Sequence, residues 1–170
     1  MTKTSKLIDK LRRDWSDPRE AVHGDSTCPF VLHCEFEGPA SSEEIEAMKN
    51  APKSVINFWA QARSATLFKD GQYGQWGLRI LDPLASLKQT RRYDQERVED
   101  AVPGDLVIGT FLGDSDLLMV RRDHNASDYG TVMVVLPLDP RSDWNVVAGS
   151  FDEFLEKYVA ADGGKFWEGH

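Results

Sequence analysis

The residues with chemistry to offer fall in a few short stretches. In "DLVIGTFLGDSDLLMVRRD", residues 105–123, two apolar runs flank Gly113-Asp114-Ser115-Asp116. A calcium loop needs alternating oxygen ligands and a bidentate carboxylate about twelve residues along. Here only two carboxylates are close together, and apolar strand follows them. Gly and Asp are what a tight hairpin turn requires, so the stretch is expected to be a turn whose Asp114 and Asp116 face a basic partner. Cys28, His33 and Cys34 suggest zinc, but no second ligand pair completes a tetrahedral set. His33 and Cys34, adjacent in a strand, would also point to opposite faces. Cys34 shares parity with Phe30, Leu32 and Phe36 and reads as a core thiol.

A Cys-His nucleophile pair drawn from Cys28 or Cys34 and His23 or His124 has no supporting motif. No Gly-x-Ser-x-Gly elbow occurs, and "GQYGQWG" lacks the Lys-Ser/Thr of a phosphate loop. Glu43, Glu44, Asp152 and Glu153 belong to first helical turns, where the macrodipole favours negative charge. Neither a cofactor nor a metal is expected. In "DGQYGQWGLRI", Tyr73 and Trp76 lie in a Gly-rich turn, where aromatic side chains serve as binding anchors unless they fold inward. Arg79 fits an edge-strand charge. Asp105, at the start of its strand, adds a further carboxylate for a basic partner.

The elements that must position these groups follow from pattern. The chain has 170 residues and is 41% apolar, enough for one core, with a net charge of −8. That charge disfavours direct nucleic-acid binding, since Arg12-Arg13, Arg91-Arg92 and Arg121-Arg122 are each diluted by carboxylates. No apolar stretch suits a membrane span or a signal peptide, and the two cysteines fit free thiols, so a cytoplasmic location is expected. "SKLIDKLRRDW" has helical spacing, Pro18 and Gly24 mark irregular chain, and "PFVLHCEFEGP" alternates as a strand. Ser41 and Glu44 form a capping box; Pro52 opens "KSVINFWAQAR". Short strands surround Asp70-Gly71, and a helix poor in apolar residues, expected to be exposed, runs from about 84 to 100. Strands in "DLVIGTFL", "DLLMVRR", "GTVMVVLPL" and "WNVVA" precede a last helix capped by Ser150 and Glu153. Residues 161–170 read as a loose tail. The order gives a single α+β domain with a mainly antiparallel sheet flanked by helices.

In this order the motifs resemble the SMI1/KNR4 family of the SUKH superfamily. "PASSEEIEAMKNAPKSVINFWAQA", "LFKDGQYGQWGLRIL" with "DPLASL", "DLVIGTFLGDSDLLMVRRD" and "GSFDEFLEKYV" carry the resemblance, over about residues 39–160. Ala51-Pro52 replaces the family's Leu-Pro, its Asn-Gly-rich turn is reduced, and residues 1–38 lie outside the match. The resemblance implies a binding module without catalysis: an immunity protein that occludes a toxin domain, or a regulatory scaffold. On that expectation Tyr73, Trp76, Arg79, Asp105, Asp114 and Asp116 meet a basic protein partner. The competing expectation is a small hydrolase or ligand-binding enzyme using a thiol or carboxylate.

Overall fold

Seven strands lie side by side in the order in which the chain makes them. In the computed structural model, which describes residues 1–168, they are β3 (Leu32–Phe36), β4 (Ala65–Asp70), β5 (Leu78–Ile80), β6 (Asp105–Phe111), β7 (Leu117–Arg121), β8 (Val132–Val135) and β9 (Asn145–Ala148). Every neighbouring pair is antiparallel; the short connections require this from β6 to β9, whereas β3–β4 and β5–β6 are joined through helices. A separate hairpin of β1 (Val22–His23) and β2 (Ser26–Thr27) forms within the stretch expected to be irregular. Gly24 turns it with φ +64°, and strands of two residues carry no alternation to read. The fold is α+β, a sheet flanked by helices.

Helices α1 (Lys3–Asp14), α3 (Lys53–Gln61) and α5 (Phe151–Ala160) pack together on one sheet face. They bury Ile8, Leu11, Phe58, Trp59, Phe151, Phe154 and Leu155 against Leu32, Leu67, Ile108 and Val120. Side chains of that size contribute about 2 kcal/mol or more each on burial. The capping box of α2 (Ser42–Ala47) is present: the Glu44 amide donates to Ser41 Oγ, and the Ser41 amide to Glu44 Oε1. At α5, Ser150 accepts from the Glu153 amide, but the Glu153 carboxylate takes the Gly149 amide instead of Ser150's.

Helix α4 (Pro83–Glu96), capped by Asp82, crosses the opposite face. It is shorter than expected, and its inner side is buried although polar. Ser86 donates to the Val107 carbonyl, Thr90 accepts from the Val107 amide at 2.9 Å, and Tyr93 donates to Asp105 at 2.7 Å. Below it Leu81, Val107, Met119, Val135 and Trp144 form a second core.

The outer edge of β3 is covered by the chain before β1. Arg19 and Leu32 exchange both backbone hydrogen bonds, and the Cys34 amide donates to the Trp15 carbonyl at 2.7 Å. Residues 161–168 are no loose tail. Phe166 and Trp167 pack on Phe154, and Trp167 also meets Phe111 and Tyr158. Gly169 and His170 lie outside the described residues. No described helix is long and apolar enough to cross a membrane.

Candidate partner-binding surface

The acidic stretch is a turn. Gly113 adopts φ +89°, and the Asp116 amide donates to Asp114 Oδ1 at 2.9 Å. The turn packs directly on the one between β4 and β5. The Leu112 amide donates to the Gly77 carbonyl, and a Cβ on Gly113 would fall 2.1 Å from the Gln75 carbonyl oxygen. The two carboxylates do not wait for a partner. Lys165 pairs with Asp114 and stands 3.8 Å from Asp116. Burial and the neighbouring Asp114 hold the Asp116 carboxyl above its ordinary range.

The Tyr73–Trp76 turn is built on Asp70, whose buried carboxylate accepts from the amides of Gln72, Tyr73 and Gln75. This loop organiser was legible only as a turn residue. Trp76 folds inward: it is half-buried, its Nε1 donates to the Gly163 carbonyl, and its ring lies 5.2 Å from that of His23. Tyr73 stays 62% exposed, with Phe30 beside it.

Two expected contacts need correction. Arg79 is exposed but on a central strand, between Thr66 of β4 and Thr110 of β6, so it is no edge charge. Asp105 is buried and belongs to no surface. It accepts from Tyr93, the Val102 amide, Arg121 at 2.8 Å and Arg141 at 2.7 Å. Its strand begins inside the molecule because the 136–144 segment and α4 both close over it.

What the structure adds is a row across the sheet. Direct cross-strand partners share a face. Glu35 opposes Thr66, Thr66 opposes Arg79, and Arg79 opposes Thr110. His33 opposes Lys69; His33 donates to Glu35 at 2.9 Å, and Lys69 lies 3.7 Å from Glu35. The row ends at a cleft of about 470 Å³ between α4 and the sheet, lined by Gln89, Arg92, Glu96, Thr110, Asp116 and Leu117 among others. The parity of β3 already placed His33 and Glu35 opposite the core; their partners depend on strand order, which no local pattern encodes.

The chemistry of the remaining candidates is quiet. Burial pushes the Cys34 thiol up to about 12, and its Sγ accepts from the Phe68 amide. Burial also raises Cys28. A thiol held protonated at neutral pH is a poor nucleophile. Phe68, at φ 52°, is what lets Leu67 and Phe68 both enter the same core. Among the described residues no group of three or more His, Cys, Asp or Glu side chains is placed to hold a metal ion. The chain matches no known protein family and no curated protein.

Proposed function

We propose that the protein is a non-catalytic binding module of the SMI1/KNR4 immunity type, which neutralises a toxin domain by occluding it. The observation that carries this reading is the open polar half of the sheet face. Glu35, Thr66 and Arg79 lead from strand to strand to Thr110 in the α4 cleft, Lys69 lies beside Glu35, and exposed Tyr73 stands on the neighbouring turn. A rigid sheet holding charges of both signs beside an aromatic anchor suits specific docking, because a wrong partner meets like charges. The net charge of −8 favours encounter with a basic protein. The contact set moves from that first expected: Tyr73 and Arg79 remain, Glu35 and Lys69 join them, Asp105 leaves, and Trp76, Asp114 and Asp116 are engaged by the chain's own Gly163 and Lys165.

The test is capture of the partner from native lysate, followed by titration with Tyr73→Ala and Arg79→Glu. Each substitution is expected to weaken binding about tenfold or more, while Lys6→Ala, exposed on α1 across the sheet, leaves it unchanged. Equal affinity for all four proteins would reject the surface. Failure to capture any protein would reject the function.

A further inference from the structure

Residues 163–168 form a strap across the two packed turns, and Lys165 is its one cation. The ammonium lies 5.5 Å from the centroid of the Trp76 ring and 5.3 Å from that of Phe111. Asp114 and Asp116 flank it, and the side chain is only 13% exposed. A pair of carboxylates alone would accept any cation. Two aromatic rings narrow the choice, because their faces reward an ammonium on an apolar stem over a hydrated metal ion, while the carboxylates take its N–H groups. The walls are anchored in other parts of the fold, although the strap also touches both rings: the Gly163 carbonyl accepts from Trp76, and Trp167 packs on Phe111. Asp114 and Asp116 belong to the β6–β7 turn, Phe111 ends β6, and Trp76 rests on His23. A cleft of about 670 Å³ opens on the Trp76 side, lined by Val22, His23, Trp76 and the strap itself, and Phe111, Asp114 and Asp116 face the separate cleft beside α4.

The geometry points to an alkylammonium-binding pocket formed by Trp76, Phe111, Asp114 and Asp116, which the chain fills with its own Lys165 and which a partner's lysine enters when the strap is displaced. The pocket stands on these contacts alone; that the incoming lysine belongs to a protein rests on the function proposed above.

The experiment titrates Lys165→Ala with propylammonium chloride, following tryptophan fluorescence, against sodium chloride and propanol as controls. Saturable binding of propylammonium is expected, weakened about tenfold or more when Asp114→Asn and Asp116→Asn are added. Lys165→Met, whose uncharged side chain fills the space between the rings, is expected to bind none. Should Lys165→Ala not fold, hydrogen exchange on the unaltered protein decides: propylammonium is expected to speed exchange of the 163–168 amides relative to equal sodium. A folded Lys165→Ala that responds no differently to propylammonium and sodium overturns the pocket, as does unchanged exchange. Either result leaves partner capture standing. Saturable propylammonium binding without a captured partner keeps the pocket and rejects the incoming protein lysine.

Discussion

Asp105 receives two arginines, a tyrosine hydroxyl and a backbone amide while its own side chain is fully buried. Burial pushes its carboxyl upward, but the Arg141, Val102 and Tyr93 hydrogen bonds outweigh that, and the net shift is downward. The folded protein therefore binds fewer protons at this site than the unfolded chain. Its stabilising contribution is complete above the unfolded value of about 3.9 and is lost as pH falls through the lower folded value. Asp105→Asn leaves Arg121, only 4% exposed, with the Asp128 pairing alone. The expected cost is about 3 kcal/mol in urea denaturation near neutral pH. The native protein should lose stability on acidification below about pH 4, and the variant should lose less. Cys34 makes a second prediction at this scale. Iodoacetamide is expected to leave it unmodified in the native protein and to alkylate it only after unfolding, as mass spectrometry can follow.

Elements differ in how openly the chain announces them. Helices α1, α3 and α5 were legible because Leu11, Phe58 and Phe154 repeat with their neighbours at helical spacing, and α2 because Ser41 and Glu44 close a capping box. Helix α4 hid its inner face, since Ser86, Thr90 and Tyr93 dock by hydrogen bonds and leave no apolar stripe. Thr90 is the joint: it takes the Val107 amide and gives its hydroxyl proton to the Ser86 carbonyl. Thr90→Val preserves shape yet strands a buried amide, so a loss of about 1–3 kcal/mol is expected in thermal or urea unfolding. Thr90→Ser should retain most of the stability. The doubled core entry at Leu67 and Phe68 was likewise illegible, because only a left-handed backbone at Phe68 breaks the alternation.

For the whole molecule, the antiparallel pairing from β6 to β9 was readable from connection length, whereas the binding surface was readable only in pieces. Tyr73 and Arg79 stood out by type. Glu35 and Lys69 gained meaning once β3 became the neighbour of β4, and Asp105 lost its assignment when two segments closed over it. The two ends of a meander are also its two unguarded flanks, where free backbone groups can recruit another chain. Trp15 and Arg19 satisfy those groups along β3, so the first twenty residues act as a chaperone built into the polypeptide. Arg19→Pro removes the amide that donates to the Leu32 carbonyl while leaving α1 in the core; it is expected to self-associate by strand addition, seen as concentration-dependent mass in light scattering, while the unaltered chain under the same conditions does not gain mass through this flank.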